Sequence, residues 1–318
     1  MGHRLQSPLI RNGGIVWGLG MCSSGSTWLF NVMQKLAESL APELPREGRF
    51  VAAEVDVGDL RPAPRLLVVK SHETDAPAEV LLAEASDLIA VSIRDPRDVV
   101  ASMMQYQQRI FEDALHLTVK TAELCARMAT DKRALLLRYE AGFIDDRVTL
   151  DRLAVRLGGV LAVAERSRIF AATRRREIER YIAGMARKPG ILMHRETGDL
   201  LDPATHWHSH HANRTGEVGR WRRILTPEQV GDVQTQLGGW MEANFYPVVR
   251  VPRRVESGSA RSKWRPLNSS SKPRTPAIAP SSAHAGVGRY GRRQIASAPA
   301  ATPVPRMQGM LGRAARSE

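Results

Sequence analysis

The sequence predicts an α/β fold in which helices flank a parallel β-sheet, as a three-layer sandwich. Four short runs rich in Val, Ile and Leu lie at 13–20, 65–72, 87–94 and 134–140. They lack polar alternation, which is typical of parallel strands covered on both faces. Segments with helical periodicity separate them, and strands that alternate with helices indicate a parallel sheet.

The first helix follows the first strand directly. Its apolar stripe has the i, i+3, i+4, i+7 spacing of an amphipathic helix and comprises Leu29, Val32, Met33, Leu36 and Leu40. The segment 95–129 predicts one or two helices, with Asp95 as N-cap and Pro96 at the first helical position.

The second half of the chain has a helical pattern. We expect helices at 147–157, at about 163–186 and at 226–247, the last with Thr226 as N-cap, and a long loop at 187–220. From about residue 252 the chain is rich in Ser, Pro, Ala and Arg, and such a composition cannot offset the entropy cost of ordering. The sequence therefore predicts a domain over 1–251 and a disordered tail over 252–318.

The strong positive charge belongs to that tail. The whole chain of 318 residues carries +13, and residues 251–318 hold 13 Lys or Arg against two acidic residues, or +11. Because the body is nearly neutral, the composition does not predict specific nucleic-acid binding by the domain. Two cysteines fit a reducing compartment, and we find no signal peptide and no apolar run of membrane-spanning length, so we expect a soluble cytoplasmic protein.

A glycine-rich turn joins the first strand to the first helix. Gly20 to Thr27 has the spacing of a phosphate-binding loop, but Ser26 stands where the lysine of that motif belongs. Backbone N–H groups, hydroxyls and the helix N-terminus can hold a phosphate without a cation. The missing lysine counts against a kinase or NTPase, and a plain Gly/Ser turn stays open on this stretch alone.

The next two strands end in basic residues. Lys70 and His72 close the second run, and Arg94 closes the third, eight residues before Ser102. Since the carboxyl ends of parallel strands share one edge of the sheet, these side chains should face the loop. A histidine can act as general base and an arginine can bind a phosphate in a bidentate manner, although each motif taken alone also fits solvated surface charges.

Taken together, these motifs resemble those of the cytosolic-type sulfotransferases, which transfer a sulfuryl group from 3′-phosphoadenosine 5′-phosphosulfate (PAPS). SSGSTW at 23–28 resembles the family's K-S-G-T-T-W loop, and KSH at 70–72 resembles its K-T-H. RDPRDVVAS at 94–102 resembles the 3′-phosphate motif, RYE at 138–140 the Y-E-D segment, and NRTGEVGRW at 213–221 the closing R-K-G-x-x-G-D-W. The matches occur in the family's order over about 13–250.

The resemblance implies a fold like that of P-loop NTPases, PAPS as co-substrate, no metal, and a role for each matched residue. His72 would be the catalytic base and Lys70 a catalytic cation. Arg94 and Ser102 would bind the 3′-phosphate, and Tyr139 would lie near the adenine. The remaining cofactor-binding residues would be those of the phosphosulfate loop and of the closing motif: Ser23, Ser24, Gly25, Ser26, Thr27, Trp28, Arg214, Thr215 and Gly216.

Three departures from the family pattern concern charge. Ser23 replaces the loop lysine that holds the departing phosphosulfate, Thr215 replaces a lysine of the closing motif, and Arg220 replaces an aspartate. Lys70 is our first candidate for the replacement cation. A catalytically weakened protein that only binds PAPS or its product PAP, and a P-loop kinase of a small molecule, are the alternatives.

The acceptor is less defined by the sequence. The resemblance implies a small-molecule or carbohydrate acceptor with a hydroxyl or amine, and pocket walls from 41–64, 103–125 and 187–212; a homodimer is possible. HWHSHHA at 206–212 holds four histidines in six positions. Because no cysteine accompanies them and they adjoin the closing motif, we expect structural or substrate contacts there, with metal binding as the less favoured alternative.

Overall fold

The computed structural model describes residues 13–58, 60, 65–195, 197–211 and 216–249. The predicted tail at 252–318 lies outside these residues, as do Arg214 and Thr215. The disorder of that tail, the domain boundary at 251 and the roles of the two closing-motif residues therefore stay predictions.

Among the described residues, five strands form one parallel sheet in the order β2-β3-β1-β4-β5. Their bounds are β1 Gly14–Gly20, β2 Arg46–Phe50, β3 Leu66–Ser71, β4 Leu88–Ile93 and β5 Ala134–Arg138. The four apolar runs are thus confirmed as strands. The sequence missed β2, because REGRF is a polar strand at the sheet edge whose positions alternate between exposed and half-buried.

Helices cover both faces of the sheet. They are α1 Ser26–Leu40, α2 Glu54–Val57, α3 Ala76–Ala85, α4 Pro96–Tyr106, α5 Phe111–Ala129, α6 Arg147–Arg156, α7 Val163–Ala172, α8 Arg175–Ala183, α9 Trp221–Ile224 and α10 Pro227–Ala243. Both predicted N-caps are present, since the Asp95 side chain accepts from the Arg97 N–H and the Thr226 side chain from the Gln229 N–H.

Two apolar cores make the three layers. Val16 of β1 packs in one core with Leu29 of α1 and Leu150 of α6. Its neighbour Trp17 points to the opposite face and packs with residues of α4, α5 and α10, among them Trp240. Successive residues of a strand face opposite sides, so a strand buried on both sides is apolar throughout. The predicted three-layer α/β fold is confirmed.

Two predicted segments differ in detail. The helix expected at 163–186 is broken in two, between α7 and α8, whereas the segment 95–129 forms two helices, within the expectation of one or two. The expected loop at 187–220 contains a small antiparallel hairpin, β6 Leu192–Met193 and β7 Leu200–Leu201. These two strands are too short to leave a periodic pattern in the sequence.

The strand order predicts a crevice at the carboxyl edge of the sheet. β1 lies between β3 on one side and β4 on the other, so the connections that follow these strands diverge. Ligands of open α/β sheets bind at such a divergence, outside the carboxyl ends of the strands. In the described part of the chain no helix is long and apolar enough to cross a bilayer.

Candidate active site

The loop after β1 is shaped by two residues with left-handed backbone. Gly25 has φ 87° and caps the N-terminus of α1, while Ser23 has φ 59°. Glycine adopts this conformation without strain, whereas serine does so at a cost. This strained serine occupies the position that a lysine has in the K-S-G-T-T-W loop that 23–28 resembles.

Not every loop hydroxyl faces the crevice. The buried Ser24 hydroxyl lies 2.7 Å from the Met21 carbonyl and 2.8 Å from the Ser92 hydroxyl, so it is committed to the fold. The buried indole of Trp28 donates to the Thr173 carbonyl at 3.0 Å. Ser24 and Trp28 therefore anchor the loop to the surrounding fold by buried hydrogen bonds. Ser26 and Thr27 form the first turn of α1.

Lys70 reaches the loop from the neighbouring strand. Its side chain is buried, and its Nζ donates to Thr27 Oγ1 at 2.8 Å and lies 5.8 Å from the centroid of the Phe50 ring. Burial is the main cause that lowers its pKa from 10.5 to about 7, because a charged ammonium loses hydration there. A buried amine therefore lies beside a loop that contains no lysine or arginine, and a bound anion would favour the charged form of this amine.

His72 lies just past the end of β3 with a defined tautomer. Its Nδ1 is 2.8 Å from the Gly20 carbonyl, which can only accept, so Nδ1 carries the proton and Nε2 the lone pair. Burial, followed by the nearby charge of Lys70, lowers its pKa from 6.5 to about 3. The ring is therefore neutral at physiological pH, which is the form that a general base needs.

Arg94 and Ser102 meet the loop at Ser23. Arg94 Nη1 donates to the Ser23 carbonyl at 3.1 Å, and Ser102 Oγ donates to Ser23 Oγ at 3.0 Å. Within the described part of the chain the buried Arg94 Nε has no acceptor. An unsatisfied buried guanidinium nitrogen is costly unless a ligand completes it, so this corner suits an anion.

Tyr139 and Gly216 complete the same corner. The Arg94 guanidinium lies 4.4 Å above the Tyr139 ring. Gly216 has φ 64°, and a Cβ placed there would overlap the Arg175 guanidinium and the Tyr139 hydroxyl. Arg175 was missed at the sequence level, although it begins α8 within the basic run RRREIER.

Phe50, which the predicted site residues do not include, lies between His72 and His206, the first histidine of the run at 206–212. The centroid of the Phe50 ring is 6.3 Å from that of His72 and 5.7 Å from that of His206. His206 has φ 54° and packs edge-on against Phe30 at 5.0 Å. Phe50 and His206 come from 41–64 and 187–212, two of the three segments expected to form the acceptor walls.

Asp98 fixes the segment that follows Gly216. Its carboxylate accepts from the N–H groups of Gly219 at 2.7 Å and Trp221 at 3.0 Å. Arg94 Nη2 donates to the Glu217 carbonyl at 2.8 Å and lies 3.7 Å from Asp98. The closing segment, residues 217–221 at the end of the closing motif, is therefore held by the start of α4 and by Arg94 just before it.

Comparison with known proteins agrees with this architecture. No protein-family model and no curated protein matches the sequence. Among solved structures, mouse sulfotransferase SULT7A1 complexed with PAP is similar at 18% identity and a TM-score of 0.51, over 73% of this chain and 84% of that one.

Retinol dehydratase is similar in two complexes, with weaker scores. The complex with retinol and PAP has 16% identity, a TM-score of 0.46 and coverage of 74% of this chain and 84% of that one. The complex with androsterone and PAP has 15% identity, a TM-score of 0.47 and coverage of 74% of this chain and 83% of that one. These two likenesses are too low to support an inference, and the mouse enzyme supports one about the fold alone: the chain has the sulfotransferase fold.

Proposed function

We propose that the protein is a sulfotransferase that moves a sulfuryl group from PAPS to an acceptor hydroxyl or amine. The observation that carries the proposal is the pair at the end of β3. Lys70 contacts the loop at Thr27, 2.8 Å away, and His72 two residues later presents the lone pair of Nε2. A cation beside a phosphate-binding loop and a neutral base beside the cation are what an in-line transfer between two oxygens requires.

The cofactor-binding roles follow from the donors in the crevice. Arg94, with a buried Nε that lacks an acceptor among the described residues, and Ser102 suit the 3′-phosphate. Ser26, Thr27 and the first N–H groups of α1 suit the 5′-phosphosulfate, since a helix N-terminus favours anions. PAPS is the co-substrate that supplies the sulfuryl group.

The reaction requires a general base and a group that stabilises the leaving oxygen. His72 Nε2 takes the proton of the acceptor hydroxyl while the acceptor oxygen forms its bond to sulfur and the bond from sulfur to the bridging oxygen breaks. Lys70 Nζ offsets the charge that grows on that bridging oxygen, and buried donors stabilise such charge strongly. Ser23 provides no such charge, so we assign to Lys70 the role of the family's loop lysine.

Binding and transfer measurements test the proposal. Calorimetry should show that the protein binds PAP and PAPS and that it binds ATP far more weakly. A labelled-sulfate assay with a library of hydroxyl and amine acceptors should detect transfer. His72→Ala should abolish transfer while PAP affinity changes little, and His116→Ala, at an exposed position of α5, is the matched control. Full transfer by His72→Ala would contradict the assignment of the base.

The replacement of the loop lysine by Ser23 favours a second candidate, a protein that binds PAPS or PAP without turnover. Tight PAP binding with no transfer to any acceptor would select it. Magnesium-dependent binding and consumption of ATP would instead select a P-loop kinase. A cytoplasmic location and a homodimer stay predictions, for which cell fractionation and light scattering are the tests.

A further inference from the structure

We propose that Asp199, His208 and His210 form a binding site for a divalent first-row metal ion such as Zn²⁺. The site is separate from sulfuryl transfer and does not depend on it. One ligand atom from each of the three residues lies within 4.8 Å of those of the other two. From the sequence we expected structural or substrate contacts for these histidines, with metal binding as the less favoured alternative. The carboxylate that joins them lies outside the histidine run.

Backbone pairing brings the three residues together. Leu201 of β7 forms an antiparallel bridge with His208, so the residue two before Leu201 lies opposite the residue two after His208. These are Asp199 and His210, and the His210 N–H donates to Asp199 Oδ1 at 3.1 Å. The main-chain register therefore places Asp199 opposite His210.

The carboxylate is oriented with one oxygen towards the imidazoles. Asp199 Oδ1 accepts from the Ser209 hydroxyl at 2.6 Å as well as from the His210 N–H. Asp199 Oδ2 lies 2.7 Å from His208 Nδ1 and 2.8 Å from His210 Nδ1. Such outer hydrogen bonds hold the carboxylates of metal sites in a monodentate orientation.

The ligand types suit zinc, while the spacing between the carboxylate and the imidazoles is that of hydrogen bonds. A tetrahedral ion with bonds of about 2.0–2.1 Å separates its ligand atoms by about 3.4 Å, so these donors need to move apart by about 0.6 Å. Imidazole and carboxylate ligands are typical of zinc, and three protein ligands leave a fourth position for water. The ring of His211 packs against that of His210, with 4.6 Å between the centroids.

The three side chains keep an approach from solvent. Their exposed fractions are 19% for Asp199, 32% for His208 and 22% for His210. The cluster is exposed enough to exchange an ion and buried enough to keep its side chains oriented. In this it differs from isolated surface histidines. A bound ion would also stabilise the segment that carries His206 to the side of Phe50 and His72.

The test uses the tag-free full-length protein after removal of metals by a chelator. Titration with Zn²⁺ alone should give one equivalent per chain, and Co²⁺ should give the visible absorption of a tetrahedral ion with nitrogen and oxygen ligands. His208→Ala and His210→Ala should each weaken Zn²⁺ binding by at least about tenfold. Loss of a hydrogen-bond partner of a ligand already lowers metal affinity about tenfold or more, and loss of a ligand should cost at least as much. His116→Ala should bind as the wild type does.

Folding is checked on the same variants by circular dichroism, and Asp199→Asn serves as a second variant. It retains an oxygen acceptor for Ser209 and removes the negative charge, so weaker Zn²⁺ binding by a folded Asp199→Asn protein supports the site. Absence of stoichiometric Zn²⁺ binding by the wild type overturns the proposal. Unchanged affinity in His208→Ala, His210→Ala and Asp199→Asn overturns it equally.

Discussion

The buried ammonium of Lys70 should make the protein less stable near neutral pH than it is in mild alkali. The pKa of Lys70 falls from 10.5 in the unfolded chain to about 7 in the fold. The unfolded state therefore binds more protons than the folded state between these values, and stability rises with pH across that window. At about pH 7.5 the destabilisation is about 4 kcal/mol, at about 1.4 kcal/mol per pKa unit.

Lys70→Met removes the titrating group and keeps most of the side-chain volume. The variant loses the hydrogen bond to Thr27, about 1 kcal/mol, and should still be more stable than the wild type by about 3 kcal/mol at about pH 7.5. From about pH 7.5 to about pH 9 the wild type should gain about 2 kcal/mol relative to the variant. The second quantity is the sharper one, because packing terms that do not depend on pH cancel.

Urea unfolding at a series of pH values measures both quantities. The exposed Lys120 of α5 provides the control, since Lys120→Met should follow the wild-type curve at every pH. Saturating PAP should flatten the wild-type curve, because a bound anion restores the charged form of Lys70. Parallel curves for wild type and Lys70→Met would refute the claim that burial holds this ammonium at a low pKa.

Three further outcomes are expected. Gly216→Ala should weaken PAP binding by displacing Tyr139. The control Gly190→Ala, at an equally left-handed but open position, should lower the free energy of unfolding by the backbone strain of about 1–2 kcal/mol and leave PAP binding unchanged. Equal PAP affinities of the two variants in calorimetry would contradict this. Thr226→Ala should lower thermal stability by about 1 kcal/mol through loss of the N-cap of α10, and an unchanged melting temperature would count against the cap. Asp98→Ala leaves two backbone N–H groups without their acceptor and should cost about 1–3 kcal/mol in urea unfolding, with an unchanged midpoint as the contrary result.

The spatial proximity of several candidate residues could be expected from the strand pattern, whereas their roles stay predictions. Lys70, His72 and Arg94 follow apolar strands, and strand ends in a parallel sheet meet at one edge, so their proximity could be expected from the strand pattern. Gly25 could be expected to cap a helix because the turn and the amphipathic stripe are contiguous.

The parts that were missed depend on long-range pairing. Phe50 ends an edge strand whose polar residues leave no apolar run, and its position beside His72 exists only through pairing with β3. Asp199 joins the histidines through an isolated antiparallel bridge between Leu201 and His208. A pattern read along the chain contains neither relation, since both depend on which segments meet.

Arg94 makes the position of the closing segment and the occupancy of the crevice depend on each other. Its guanidinium donates to two carbonyls, one in the loop at Ser23 and one at Glu217 in the closing segment. An anion that recruits these donors competes with both carbonyls, so binding and segment position are linked by one free energy that acts equally in both directions. If the crevice binds PAPS or PAP as proposed, the fluorescence of Trp221, which is held to Asp98 in that segment, should change on binding.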